Sequence, residues 1–168
     1  MIGNIKIIAV CMCKVYDERN YRIIRALNNF AVENDYRLFV YHTCSDLYWK
    51  TLSEKGEQSV FDLIDYNITD AVVTFEEGVY AENVMTKIRM DAAKYGKPVI
   101  SVGVEHDDCI SIKFGYAKGF EQVVRHVIEQ HGVRDIGFIA GRKDEEHSEE
   151  RIAVFRKLLE EYDIPFRN

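Results

Sequence analysis

Nearly continuous apolar runs alternate with amphipathic helical patterns along this chain. Runs of this kind are typical of parallel strands that are buried on both faces, and each run ends in a polar turn. They predict six β-strands, at residues 6–13, 37–43, 70–75, 98–103, 109–114 and 136–140. Alternation of strands with helices predicts an α/β fold, in which helices cover both faces of a parallel sheet.

The helical patterns repeat apolar residues every three or four positions. They predict helices near residues 21–31, 60–64, 81–95, 120–131 and 148–162. The stretch 52–57 is polar, and we interpret it as part of a loop that precedes the second helix. The acidic segment 105–108 is interpreted as a crossover between two lobes.

Length and composition are those of a folded globular chain. At 168 residues it can bury one good core or two small ones. No apolar run approaches the roughly 20 residues that span a bilayer. The apolar N-terminus has no small-residue cleavage site and is interpreted as a first strand, so we expect a cytoplasmic protein that does not use a membrane.

Charge and motifs exclude several classes of function. The net charge of −6 argues against a nucleic-acid surface, which needs clustered basic residues. No glycine-rich phosphate loop follows a strand, and none of the five histidines pairs with a serine or cysteine as in a nucleophilic site. We therefore expect no enzyme activity and no cofactor.

Four cysteines stand at positions 11, 13, 44 and 109, without the C-x-x-C spacing of a zinc or thioredoxin-like site. A metal or redox cluster of Cys11, Cys13 and Cys44 is one interpretation. Small buried thiols in a reducing compartment are the interpretation that we favour, and we predict no metal.

A ligand of an open parallel sheet binds beyond the carboxyl ends of its strands. Aromatic faces stack on a sugar or nucleoside ring, and charged groups bind its hydroxyls, so side chains of these kinds are the candidates. The predicted ligand-binding residues are Tyr16, Asp17, Tyr21, Asp46, Tyr48, Trp49, Phe75, Glu76, Tyr116, His147 and Arg151. Glu105 and Arg142 occupy similar positions.

The second half of the chain resembles a known family. The run GFEQVVRHVIEQHGVRDIGFIAG at 119–141 and the run SEERIAVFRKLLEEYDIPF at 148–166 resemble the ligand-sensing domain of LacI/GalR-type regulators. The resemblance covers the chain and implies a periplasmic-binding-protein type I fold, with a first lobe at 1–104 and a partial second lobe at 105–168. Arg151 matches the arginine of that family that reaches ligand hydroxyls.

Two departures from the family affect this interpretation. Gly115 and Tyr116 stand where the family has a carboxylate after strand five. Either the ligand is not a typical hexose, or the interlobe cleft that the resemblance implies is vestigial and the domain mainly dimerises. About two fifths of a complete sensing domain is also absent from the end. We expect either a piece of a longer protein, which we favour, or an oligomer that completes the sheet between chains.

The expected function is to sense a small molecule, sugar- or nucleoside-like, as a homodimer and to pass the change to an output domain. That domain would be a GGDEF diguanylate cyclase or a LacI-type DNA-binding domain. The string HSEERI at 147–152 resembles the GGDEF-linked subgroup, and the first strand begins five residues after Met1, so we favour the former. A ligand-free dimerisation module and a flavodoxin-like enzyme domain are the alternatives.

Overall fold

The chain divides into two compact units. A computed structural model describes residues 5–77, 79–141 and 145–166. The first unit spans Met1–Lys113 and the second spans Phe114–Asn168. Across the described residues, no helix has the length and the apolar character that crossing a membrane requires.

The first unit is a parallel sheet with connecting helices. Its described elements in chain order are β1 (Lys6–Cys13), α1 (Glu18–Glu33), β2 (Tyr36–Thr43), α2 (Leu52–Gln58), a 3-10 helix (Ser59–Leu63), β3 (Ala71–Phe75), α3 (Glu82–Lys94), β4 (Val99–Val102) and β5 (Ile110–Ile112). The strands lie in the order β2-β1-β3-β4-β5, and every neighbouring pair is parallel. The predicted α/β fold with a parallel sheet is confirmed.

β1 lies in the interior of this sheet because its residues are apolar on both faces. Ala9 and Cys11 are fully buried in a cluster with Met85 of α3, and Val10 and Met12, which point to the opposite face, are buried as well. The strand pairs with β2 on one side and with β3 on the other. A strand that is covered on both faces has the continuous apolar pattern seen in the sequence.

The second helix differs from its prediction. α2 begins at Leu52, and the predicted helical stretch around Val60 is a 3-10 helix instead. The polar character of 52–57 belongs to a helix whose N-terminus is capped by its own side chains. Thr51 accepts a hydrogen bond from the Glu54 backbone N–H at 3.2 Å, and Glu54 accepts one from the Thr51 N–H at 3.0 Å.

The second unit contains α4 (Tyr116–His131) and α5 (Glu146–Glu161), which pack on each other. Its buried core consists of Val124 and Ile128 from α4 and of residues from α5 and the turn after it, namely Phe155, Leu158, Leu159 and Ile164. The Phe138 ring joins this core, with its centroid 5.1 Å from those of Phe120 and Phe155. Glycine ends α4, because Gly132 adopts a φ of 64° that favours a residue without Cβ.

The predicted strand at 136–140 is not formed. Within the described part of the chain, residues 133–141 make no backbone hydrogen bond to another segment. Ile136 and Phe138 face the helices, whereas Ile139 is 97% exposed. A strand needs backbone hydrogen bonds to a neighbouring strand, and no described segment of this unit pairs with residues 136–140.

The predicted strand at 109–114 is shorter, at 110–112, and it pairs with β4 in the sheet of the first unit. The segment 105–108 therefore connects two neighbouring strands of one sheet. The two units of the structure divide after Lys113, and the lobe boundary at 104 stays a prediction.

Two methionines of α3 test the packing of the first unit. Met85 is 1% exposed and Met90 is 56% exposed, so Met85→Ala leaves a cavity and Met90→Ala does not. We expect Met85→Ala to lower the free energy of unfolding by about 2–5 kcal/mol. The matched Met90→Ala should stay within about 0.5 kcal/mol. Urea unfolding measures both, and equal effects would contradict the packing described.

Candidate functional site

The strand order of the first unit identifies where a ligand would bind. The chain runs from β1 outward to β2 and then returns past β1 to β3, so the direction of winding reverses between β1 and β3. Open α/β sheets bind ligands at the carboxyl ends of the strands at such a switch point. The relevant loops are the three that follow β1, β2 and β3.

An ion pair joins the loops on the two sides of the switch point. Arg19 lies in the first turn of α1 and Glu77 lies two residues after β3. The guanidinium donates two parallel hydrogen bonds, Nη1 to Oε1 at 3.2 Å and Nη2 to Oε2 at 2.6 Å. Forked pairs of this kind fix orientation as well as distance, so the two loops are held in one relative position.

A second charged pair joins the loops after β1 and β2. Lys14 donates to the Asp46 carboxylate at 3.0 Å, and this hydrogen bond holds the pKa of Asp46 below its ordinary value. Tyr80, in the loop after β3, donates its backbone N–H to the Asp46 carbonyl at 2.9 Å. Asp46 is therefore the point at which all three loops meet.

The loop after β2 is shaped by carboxylates from α2. Glu57 Oε2 accepts from the backbone N–H groups of Cys44 and Ser45 at 2.8 and 2.9 Å. These bonds stabilise the charged carboxylate, and the bond from the Ser45 N–H contributes most to holding the pKa of Glu57 below its usual value. Glu54 accepts from the Trp49 N–H at 3.3 Å. The loop that carries the aromatic candidates is thus held at both ends.

Aromatic faces line the same loops. The Tyr48 ring stands edge-to-face with Trp49 at 4.7 Å and with Tyr80 at 5.3 Å between centroids. Tyr16 stands edge-to-face with His42 at 5.5 Å. Tyr16 and Trp49 are 81% and 76% exposed, which leaves large ring faces open to solvent. Exposed aromatic faces beside fixed charges are suited to sugars and nucleosides.

Glu76 is part of a buried ionic cluster. Its carboxylate accepts hydrogen bonds from Arg89 Nη1, at 3.0 Å to each oxygen, and from the Thr74 hydroxyl at 2.8 Å. His106 Nε2 lies 2.9 Å from Glu76 Oε2, and Asp108 lies 3.7 Å from Arg89 Nε. Glu76 and Arg89 are each 7% exposed. The carboxylate predicted to reach a ligand is already bonded within the protein.

The other predicted residues of the first unit have varied surroundings. Asp17 is the exposed N-cap of α1 and makes no capping bond with its side chain, and Tyr21 is 56% exposed on the same helix. Phe75 is half-buried at the end of β3, next to Val102 of β4. Glu105 lies 3.6 Å from Lys113, on the side of the sheet away from β2.

The second unit brings together three predicted residues around the start of α5. The rings of Tyr116 and His147 stand edge-to-face with centroids 5.1 Å apart. Arg151 is half-buried, and its Nε donates to the His147 carbonyl at 3.0 Å. No described acidic side chain pairs with the Arg151 guanidinium, including those of Glu145 and Glu149.

Gly141 allows the chain to approach Ser148 and Arg151 closely. A Cβ at that position would come 2.1 Å from the Ser148 hydroxyl and 3.4 Å from Arg151 Nη2. Ser148 is fully buried and donates to Glu145 at 2.6 Å. The start of α5 therefore packs directly on the end of the segment 133–141. Arg142 lies outside the described residues.

Three residues of this site were not predicted from the sequence, namely Lys14, Arg19 and Tyr80. Each lies in or beside a loop at the carboxyl end of a strand, where open α/β sheets bind ligands. Polar residues are common in loops, however, so their presence alone does not indicate a site. The contacts between loops could be found only once the strand order was known.

The cysteines are free thiols in the structure. Burial raises the pKa of the Cys13 thiol to about 11 and raises that of Cys11 further. Thiols with such pKa values stay protonated at neutral pH and are poor nucleophiles. The Thr43 hydroxyl lies 3.0 Å from Cys13 Sγ, as expected of a satisfied interior thiol.

Comparison with solved structures gives the fold family. The transcription regulator CcpA of Lactococcus lactis superposes with a TM-score of 0.69 at 21% identity, over 97% of this chain and 56% of that protein. The Lac repressor dimer, bound to operator and the anti-inducer ONPF, gives 0.66 at 14% identity, over 98% and 47%. A LacI-type regulator from Alkaliphilus metalliredigens, complexed with D-xylulofuranose, gives 0.66 at 18%, over 95% and 54%.

The chain therefore has the periplasmic-binding-protein type I fold of the LacI-type ligand-binding domain. It spans about half the length of these regulators. No family model and no curated protein matches the sequence. At these identities the similarity establishes the fold, and the function has to be argued from the site.

The buried ionic cluster gives a stability prediction. Arg89→Met leaves the Glu76 carboxylate without its guanidinium, and breaking a buried ion pair in this way costs about 3–5 kcal/mol of the free energy of unfolding. The matched change Lys87→Met, on the same helix, removes surface pairs with Asp62 and Asp91 and should cost at most about 1 kcal/mol.

Urea unfolding measures both changes. Adding Glu76→Gln to Arg89→Met should restore part of the loss, because it removes the uncompensated charge. If Arg89→Met lowers the free energy of unfolding no more than Lys87→Met does, the buried cluster of Glu76 and Arg89 does not stabilise the sheet.

Proposed function

We propose that this chain is the effector-sensing part of a regulator and that it binds a small polyhydroxylated molecule, sugar- or nucleoside-like. The observation that carries the proposal is the set of loops after β1, β2 and β3. Charged contacts centred on Asp46 and Glu77 join them, and they present the exposed rings of Tyr16 and Trp49.

The chemistry of these groups suits such a ligand. Aromatic rings stack on the apolar face of a sugar or on a base, and fixed carboxylates and cations bind hydroxyl groups. A structure with the same fold was obtained with D-xylulofuranose bound, and another, from Lactobacillus casei, with sucrose bound. From these structures we infer only the class of ligand for this chain. We do not infer that it binds D-xylulofuranose or sucrose.

Arg151, Tyr116 and His147 form a second candidate group of ligand contacts, and this group lies within the second unit. The Nε of Arg151 is held by a backbone carbonyl, which orients the guanidinium without an ion pair to a described carboxylate. Such an arginine is suited to donate a forked pair of hydrogen bonds to ligand oxygens.

Regulation would follow from a population shift. A ligand that binds one arrangement of the protein more tightly raises the population of that arrangement, and a homodimer would pass the change to an output domain. The output domain that we favour is a GGDEF diguanylate cyclase, and a LacI-type DNA-binding domain is the alternative. In either case we propose a cytoplasmic protein in which this chain has no catalytic role.

The single tryptophan of the chain lies in the candidate site, so its fluorescence reports binding there directly. We expect at least one member of a panel of pentoses, hexoses, disaccharides and nucleosides to change the Trp49 emission in a saturable manner. Tyr16→Ala should weaken that binding about fivefold, since a stacked aromatic contributes about 1 kcal/mol. Phe30→Ala, an exposed aromatic far along α1, is the control and should change nothing.

A saturable response that Tyr16→Ala leaves unchanged would contradict the proposed site. The absence of any response from the folded chain across the whole panel would contradict the proposed ligand class and favour the ligand-free dimerisation module. The role of the second unit is tested separately by Arg151→Ala, with Arg156→Ala on the same helix as its control. Unchanged affinity in Arg151→Ala would show that Arg151 does not contact the ligand.

A further inference from the structure

Two histidines meet at the carboxyl end of α4. The Nε2 atoms of His126 and His131 lie 3.1 Å apart, and the ring centroids are 4.9 Å apart at an interplanar angle of 75°. Both residues are exposed. His131 is the last residue of the helix, and its ring contacts the ring of His126, five residues earlier in the same helix.

The separation of the two nitrogens is that of two ligands of one metal ion. Metal–imidazole bonds of about 2.0–2.1 Å place two nitrogens about 2.9 Å apart at a right angle and about 3.4 Å apart at a tetrahedral angle. The observed 3.1 Å falls between these values, so small side-chain rotations would suffice. Without a metal, one imidazole must donate to the other, which requires opposite protonation at the two facing nitrogens.

The surroundings favour a cation. The carboxyl end of a helix carries a partial negative charge. Arg125, the residue before His126, is already paired with Glu121 and Glu161. Glu129 lies between the two histidines in the sequence and accepts a hydrogen bond from Tyr162, so it adds negative charge to this end of the helix.

We propose that His126 and His131 form a binding site for a divalent transition-metal ion. Imidazole nitrogen suits Cu²⁺, Ni²⁺ and Zn²⁺ and does not suit Mg²⁺ or Ca²⁺. The described residues contain no group of three or more His, Cys, Asp or Glu side chains that could hold a metal. Water therefore fills the remaining positions, and the site is open and exchangeable, unlike a four-ligand structural zinc site.

Metal binding would act on the end of α4. An ion held by both side chains connects the last turn of the helix to the turn before it and opposes fraying. The extended segment 133–140 begins immediately after this turn. Occupancy of the site would therefore stabilise the point at which the chain leaves α4. This inference does not depend on the proposed effector site.

The test uses the tag-free 168-residue chain with Cys44→Ser, which removes an exposed thiol that could also bind metal. Titration with Ni²⁺ at neutral pH, followed by calorimetry, should show one ion per chain. His126→Ala and His131→Ala should each weaken binding at least tenfold, and Gln130→Ala, on the same helical turn, should leave it unchanged. Cu²⁺ should bind more tightly than Ni²⁺ and Ni²⁺ more tightly than Co²⁺.

Acidification should abolish binding, because imidazole binds metal only when it is neutral. Bound Ni²⁺ should also slow amide hydrogen exchange in the last turn of α4. Binding that survives in both alanine variants, or the absence of saturable 1:1 binding in the parent chain, would overturn the proposal. Circular dichroism of each variant establishes that a loss of binding does not reflect unfolding.

Discussion

The buried carboxylate of Glu76 is the constraint on which the carboxyl edge of the first sheet depends. Removing an ion from water costs several kcal/mol unless its partners are complete, and here Arg89, Thr74 and His106 all bond to it. The cluster connects the end of β3, the middle of α3 and the segment after β4. Glu77 follows directly and binds Arg19 of α1, so the constraint continues across the switch point.

Contacts of this kind explain how polar loops can form a defined surface. Lys14, Asp46 and Glu57 fix the loops by charge-assisted hydrogen bonds, and the exposed rings are held on these loops. A surface that is ordered before binding loses less conformational entropy when a ligand arrives. The proposed sensing function therefore depends on the electrostatic contacts between the loops as well as on the exposed rings.

Much of the fold could be predicted because burial leaves a direct pattern. The continuous apolar run of β1 and the helical repeat of α3 both report which faces are covered. The same pattern predicted a strand at 136–140 that is not formed, because strand pairing depends on the neighbouring segments as well as on the segment itself.

The start of α2 was missed although Thr51 and Glu54 have the spacing of a capping box, a signal that the polar composition obscured. Glu76 was placed in the right loop, but its burial depends on Arg89, which no local pattern connects to it.

The central claim is that the loops after β1, β2 and β3 form a preordered ligand surface. The most direct test is an amide chemical-shift map of the ¹⁵N-labelled chain, recorded with and without a concentrated mixture of saccharides and nucleosides. The account predicts shifts concentrated at residues 14–19, 45–50 and 79–80, with sharp signals for these residues before ligand is added. Shifts confined to the apolar groove of the second unit, which is lined by Phe138, Ile152, Phe155 and Leu159, would contradict it. So would loop signals that are broadened throughout in the free chain.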